Sequence, residues 1–205
     1  MLYNKSLFTQ HIVVFMNPII LIQDQFLVDA AAARDALCAG RFSDIVNPMD
    51  GVSYPAINTE VPQALAHELV SGLQFLLGRR IAVRHLFARA MFAGMSATNK
   101  VHSDLAMGSR YASQLYLSDH WPDGSGTAFF AHKLHGHVHT ERTPVAEIDC
   151  NDLDQFQRSV TVQACTNRLL VHRGDCWHLA EPIGGWGDRP ENSRLVLTCF
   201  FDTAD

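Results

Sequence analysis

The chain has 205 residues, of which 47% are hydrophobic and 18% charged, with a formal net charge of −5. The apolar share is ordinary for a globular protein and the charged share falls below the usual quarter, which excludes a disordered chain and a coiled coil. The negative balance argues against a surface that tracks nucleic-acid phosphates.

In chain order, the apolar run 12–22 is broken by Asn17 and Pro18 and reads as two short strands. It is too short to cross a bilayer and lacks a basic start and a small-residue cleavage site, so no membrane partner is expected. Residues 28–39 read as a helix closed by Gly40. Residues 42–59 carry Pro48, Gly51 and Pro55 and read as an irregular surface excursion. A second helix covers 62–77, where Leu65, Leu69, Leu73 and Leu76 recur at three- and four-residue spacing before Gly78.

From residue 81 the texture changes to strands, with candidates at 81–92, 111–118 and 127–131. Residues 132–161 form a mostly polar insertion with a short helix near 152–157. Two apolar runs, 169–171 and 195–201, close the chain around a glycine-rich loop. Helices first and many short strands afterwards predict a mainly β fold with flanking helices. No repeat or linker divides it, so 1–205 reads as a single domain, with a helical N-terminal support over 1–80 and a β core over 81–203. Five cysteines, odd in number and without a CxxC pair, suit reduced thiols and a cytoplasmic location.

Two features point to chemistry. Arg194 opens an apolar strand that carries no acid to pair it, and an unpaired buried charge is costly, so an anionic ligand is a candidate partner. His102-Ser103-Asp104 places an imidazole and a carboxylate on one face of an extended segment. With a second histidine from elsewhere, they would form a 2-His-1-carboxylate set that leaves open positions on Fe(II). With 11 His and 15 Asp in the chain, about one HxD is expected by chance, so the triplet alone decides nothing.

Order and context add more. After HSD come YASQLYLSD, GSGTAFF, NRLLVHRGD, WH and RLVLTCFFD. Together these resemble the iron(II)- and 2-oxoglutarate-dependent dioxygenases of the prolyl-hydroxylase-like superfamily, over about residues 81–203, with a closer likeness to bacterial members of unassigned substrate. The resemblance implies a double-stranded β-helix (a cupin-like jelly roll) and an oxidoreductase that uses O2. It makes His102, Asp104 and His178 the iron ligands. It makes Arg194 the clasp for the distal carboxylate of the 2-oxoglutarate cosubstrate, supported by the Tyr116 hydroxyl and by Thr198. A guanidinium fork suits a carboxylate through two parallel charge-assisted hydrogen bonds. A small molecule or a protein side chain is the expected substrate; the oligomeric state is not encoded.

The chain departs from the family pattern at three points. The spacing from His178 to Arg194 is 16 residues, with GGWGDRPEN filling the excess. Ser118 stands where many relatives carry Asn. No tyrosine precedes HSD at a short distance, which leaves Asn99 as the nearest polar group for the cosubstrate's other end. His172 competes with His178 but reads as a strand residue meeting solvent. The cluster His132, His135, His137 and His139 reads as solvated rather than as a second metal tract. Trp177 reads as core, and Trp186, on the glycine loop, as a pocket wall. Two other classes stand beside the oxygenase: a cupin-like metal enzyme without 2-oxoglutarate, and a non-catalytic jelly-roll binding module.

Overall fold

The computed structural model describes residues 20–47, 51–95, 100–140 and 148–204. Its two α-helices, α1 (Ala30–Cys38) and α2 (Gln63–Leu77), fall where the periodicity places them. The Asp29 carboxylate caps α1 by accepting the Ala32 N–H at 2.9 Å, which satisfies one of the orphan donors of the first turn. Helix α2 buries Leu65, Leu69 and Leu73 and stops at Gly78, which adopts the left-handed conformation at φ 63°. Gly40 serves a different purpose from the expected cap. The C-cap of α1 is Ala39 in the right-handed region, and a Cβ on Gly40 would lie 2.2 Å from Nδ2 of Asn58. That amide donates to the Leu37 carbonyl at 3.0 Å, so glycine lets β3 close on the end of α1.

Ten strands are described: β1 (Ile20–Gln23), β2 (Ser43–Val46), β3 (Ser53–Asn58), β4 (Arg80–Met91), β5 (Tyr111–Tyr116), β6 (Gly126–His132), β7 (Phe156–Gln163), β8 (Arg168–Arg173), β9 (His178–Glu181) and β10 (Arg194–Ala204). They form a seven-stranded sheet in the order β1-β8-β5-β10-β4-β3-β2 and a three-stranded sheet in the order β7-β6-β9. His102 adds an isolated antiparallel bridge to His178 at the edge of the small sheet. From β4 onward the chain passes repeatedly between the two sheets, and the pairings are antiparallel. This winding is the double-stranded β-helix.

Strand β10 carries the packing of both faces. Leu195, Leu197, Cys199 and Phe201 join Leu37, Leu65, Leu69 and Leu73 in a core between the large sheet and the helices. Val196 faces the other way and joins Tyr116, Phe129 and Val162 between the sheets. The period of two along a strand makes one apolar run serve two cores. Among the described residues no helix is long and apolar enough to cross a membrane.

Three expectations need correction. Residues 42–59 are not irregular: β2 and β3 form a hairpin that widens the large sheet. Pro55 signals a break, yet it sits at a register irregularity of the β2–β3 pair and outside the Ile57–Asn58 ladder to β4, where a missing N–H costs no ladder bond. The polar insertion ends in a 3-10 turn at Leu153–Gln155, and β7 follows at once as an edge strand of the small sheet. Its polar outward residues hide the alternation. The first 80 residues supply strands as well as helices, since β1 pairs with β8. The earlier part of the 12–22 run lies outside the described residues.

Candidate metal centre

His102 and Asp104 lie on the segment between β4 and β5, and His178 opens β9. The backbone brings them together. His102 N–H donates to the His178 carbonyl at 3.0 Å and His178 N–H returns a bond to His102 at 2.8 Å. Asp104 N–H donates to the Gly174 carbonyl at 2.6 Å, which ties the carboxylate to the turn after β8. The side chains converge: Nε2 of His102 lies 3.9 Å from Oδ1 of Asp104, and Nε2 of His178 lies 3.5 Å from Oδ2. One ligand atom from each of the three lies within 4.8 Å of the others, and this is the one such group of three among the described residues.

The tautomers follow from the second nitrogen of each ring. Nδ1 of His102 pairs with the Lys100 carbonyl at 2.9 Å and Nδ1 of His178 with the Cys176 carbonyl at 3.0 Å. A carbonyl only accepts, so each Nδ1 carries the proton and each Nε2 presents a lone pair. Burial, with the His178 charge adding to it, lowers the His102 pKa to about 4, and burial lowers His178 to about 4. Burial pushes Asp104 up to about 6, and its Oδ2 is enclosed with no hydrogen-bond partner. Neutral imidazoles beside an unsatisfied carboxylate suit a cation better than they suit one another.

A third histidine completes this environment. His172 on β8 does not meet solvent: its side chain is fully buried, with Nε2 3.9 Å from Oδ2 of Asp104. Its Nδ1 pairs with the Arg173 carbonyl at 2.7 Å, and its Nε2 lies 3.2 Å from Nε2 of Gln114. Burial drives its pKa well below the ordinary histidine value. The metal-free chain therefore has a signed pH dependence. Below about pH 6 the unfolded chain protonates three imidazoles that the fold keeps neutral, while the fold holds one extra proton on Asp104. The unfolded state binds more protons, so stability falls on acidification between about pH 6 and 4, by up to roughly 2 kcal/mol per pH unit. His102 leaves 27% of its side chain open and contributes least. Denaturant unfolding of chelator-treated protein at pH 7, 6 and 5 checks this, and a flat profile contradicts it.

Arg194 stands at the first position of β10 and is 4% exposed. Its Nη1 contacts the Met91 sulfur at 3.5 Å, its Nε is enclosed without a partner, and its guanidinium carbon lies 6.0 Å from the Tyr116 ring centroid. No salt bridge joins it to an acid among the described residues. Burial lowers its pKa. Tyr116 is fully buried, and its hydroxyl meets Thr127 Oγ1 at 2.7 Å. Thr198 faces the same side of β10, level with Gln114 and Phe87.

Ser118 explains how the strand mouth is held. Backbone pairing with β5 ends at Leu117 N–H to the Leu195 carbonyl, 3.0 Å. The Ser118 hydroxyl then donates to the Ser193 carbonyl at 3.0 Å and accepts the Leu195 N–H at 2.8 Å. Ser118→Ala leaves that buried N–H unpaired and is expected to cost about 1–3 kcal/mol, read as a lower denaturation midpoint at unchanged slope.

Among the remaining candidates, Trp177 is core, packed with Phe156 and Leu179. Trp186 meets Trp121 edge-on at 5.5 Å, and Trp121 meets Tyr116 at 5.3 Å. His132 is buried and its Nδ1 accepts the N–H groups of Leu134 and His135, so it caps a turn. Asn99 lies outside the described residues. Arg89 on β4 carries no motif, yet it acts electrostatically on both Asp104 and Arg194. It is a lone cation in the apolar run LFARAMF, the same signal that marks Arg194.

Over residues 8–201 the chain matches the profile of DUF6445, described as a family of unknown function. No curated protein matches it. Among solved structures it shares its fold with AviO1 from Streptomyces viridochromogenes Tue57, at 14% identity, 88% of this chain, 89% of that one and a TM-score of 0.54. It also resembles an oxidoreductase of the 2OG-Fe(II) oxygenase family from Burkholderia pseudomallei, at 12% identity over 91% and 85% of the chains, TM-score 0.52. A third neighbour is the non-heme alpha ketoglutarate dependent epimerase SnoN from nogalamycin biosynthesis, at 13% identity over 92% and 80%, TM-score 0.57. SnoN is also known in complex with Fe3+, alpha ketoglutarate and nogalamycin RO. At these identities the likeness is one of fold.

Proposed function

The chain belongs to the DUF6445 family of unknown function, and from its site we propose that it is an Fe(II)- and 2-oxoglutarate-dependent dioxygenase. One observation carries this reading. Two imidazole nitrogens and a carboxylate oxygen gather within 4.8 Å of one another, and a buried guanidinium with an unpaired Nε stands at the mouth of the neighbouring sheet. The donor set fits Fe(II): two neutral nitrogens and one anionic oxygen leave coordination positions free. The names of the neighbours that share the fold support the same chemistry.

In this reading His102, Asp104 and His178 hold the iron. The backbone carbonyls of Lys100 and Cys176 fix the two imidazole tautomers and so keep both Nε2 lone pairs aimed at the ion. Arg194 binds the distal carboxylate of 2-oxoglutarate through its fork, with the Tyr116 hydroxyl, oriented by Thr127, and Thr198 as supporting donors. When bound, Fe(II) and 2-oxoglutarate supply O2-dependent oxidation, in which the cosubstrate is converted to succinate and CO2 and a substrate C–H is oxidised. The protein's own part is to bind, orient and exclude water. Tyr116 lies beside Arg194, and an aromatic surface continues from it through Trp121 to Trp186.

The substrate is a small molecule or a protein side chain, and hydroxylation is the reaction we infer. The whole of 1–205 acts as one oxygenase domain, and the free thiols support a cytoplasmic setting. The test is the anaerobic visible spectrum. Fe(II) and 2-oxoglutarate together are expected to give a weak charge-transfer band that neither gives alone. Its absence at saturating concentrations defeats the reading in favour of a cupin-like metal protein or a binding module.

A further inference from the structure

Arg89 has no role in the scheme above, yet it lies on the same face of the large sheet as Arg194. It lies opposite Val196 in the β4–β10 register, one row from the facing pair Met91 and Arg194. Diagonal neighbours of this kind are about 7–8 Å apart on one face of a sheet. Two guanidiniums side by side repel, and each lowers the other's readiness to stay charged in a buried setting. The residue is partly exposed, its Nε is enclosed without a partner, and the Tyr54 ring lies 5.5 Å away. Burial, with the Arg194 charge second, lowers its pKa to about 10, so it remains cationic at neutral pH.

Its surroundings divide from those of Arg194. Arg89 acts on His102 and Asp104, whereas Arg194 acts on His178 and Tyr116. Arg89 thus bears on the HSD pair while standing diagonal to Arg194, the proposed distal-carboxylate clasp. Charge balance then decides what it is for. On the proposed function, Asp104 and the two carboxylates of 2-oxoglutarate supply three negative charges, which Fe(II) and Arg194 match. Arg89 is left as a partly enclosed cation whose Nε has no partner and which joins no acid in an ion pair among the described residues. Such a charge is costly unless an anion meets it.

We propose that Arg89 receives an anionic group of the substrate, so that the substrate of this centre is an organic acid bearing a carboxylate or a phosphate. The inference rests on the proposed oxygenase reading and narrows its substrate class. A bidentate fork recognises either anion, and a neutral isostere leaves both nitrogens unsatisfied.

The test uses the full chain loaded anaerobically with Fe(II) and saturating 2-oxoglutarate. Acetate, propionate, benzoate and inorganic phosphate are titrated by calorimetry, with acetamide, propionamide and benzamide as the neutral controls. At least one anion is expected to bind tenfold or more tighter than the amides, and the members that bind separate carboxylate from phosphate. Arg89→Met is expected to abolish that preference while changing the 2-oxoglutarate dissociation constant less than threefold. Anions that bind no better than amides, or a preference that survives Arg89→Met, overturn the proposal. A tenfold loss of 2-oxoglutarate affinity in Arg89→Met also overturns it, by assigning Arg89 to the cosubstrate. If Arg89→Met does not fold, Arg89→Lys serves: the preference should weaken about tenfold, because a point charge replaces a fork, and unchanged binding counts against the proposal. Should 2-oxoglutarate fail to bind the wild type, the oxygenase reading falls by itself. The same titrations on the metal-free chain and on Arg89→Met then still decide whether Arg89 is an anion site.

Discussion

Asp104→Asn is expected to lower Fe(II) affinity by at least about 100-fold, a larger effect than the 10–100-fold typical of partners outside the coordination sphere. It should do so without loss of metal-free stability. The carboxylate is almost wholly buried, its Oδ2 has no hydrogen-bond partner, and burial has pushed its pKa up to about 6. At neutral pH the fold therefore holds an ionised group in a place that penalises ionisation. Replacing it by a neutral amide of the same shape removes that penalty. The Asp104 N–H to Gly174 bond is a backbone contact and survives the change. Competition against a chromophoric Fe(II) chelator reads the first effect, and thermal unfolding of chelated protein reads the second. Weaker metal binding together with a lower melting temperature would make Asp104 a structural residue instead. His178→Ala should match the metal loss, but it also opens a cavity between the sheets and is expected to cost stability.

Arg194→Met follows the same logic from the other side of the site. Truncating one partner of a buried charge pair typically costs 2–5 kcal/mol, so 2-oxoglutarate affinity should fall by at least about 30-fold. Iron affinity should stay within about threefold, because the guanidinium touches none of the three ligands. Methionine keeps an unbranched apolar stem beside Met91 and removes a cation that has no acid to pair it. The free protein is therefore expected to gain on the order of 1 kcal/mol, or about 2–4 °C in melting temperature for a domain of this size. Equal 2-oxoglutarate affinities in variant and parent, measured by titration of the Fe(II) protein, would remove Arg194 from the cosubstrate site. A variant that both loses affinity and melts earlier would show that the guanidinium holds the strand mouth as well.

Both predictions describe a site built against the stability of its own chain. Buried groups lacking partners in the free protein are costly, and they persist where a ligand supplies the missing partner. Arg89, Arg194 and Asp104 all fit that pattern, and Ser118 does not. Its two hydrogen bonds are satisfied within the fold, so its replacement is expected to lower stability without gain.

Local chemistry alone determined much of this protein. The spacing of Leu65, Leu69 and Leu73 marked α2, because burial on one face imposes a fixed period on a helix. The apolar run 195–201 marked β10, a strand buried along most of its length. The family resemblance carried by HSD, WH and RLVLTCFFD in that order implied His102, Asp104 and His178, whose ligand atoms lie within 4.8 Å of one another. An isolated cation in an apolar run was enough to single out Arg194. What the tertiary structure decided depends on neighbours distant in sequence. Pro55 looks like a breaker until the β2–β3 register absorbs it. Strand β7 hides its pattern because an edge strand faces water. His172 is a lone histidine in a strand until β8 turns it onto Asp104, and Arg89 has meaning only once β4 lies against β10 and sets it beside Arg194. Periodicity reports which face a residue takes; only the assembled sheets decide what that face meets, since electrostatic cost depends on the charges and water that the rest of the chain brings or excludes.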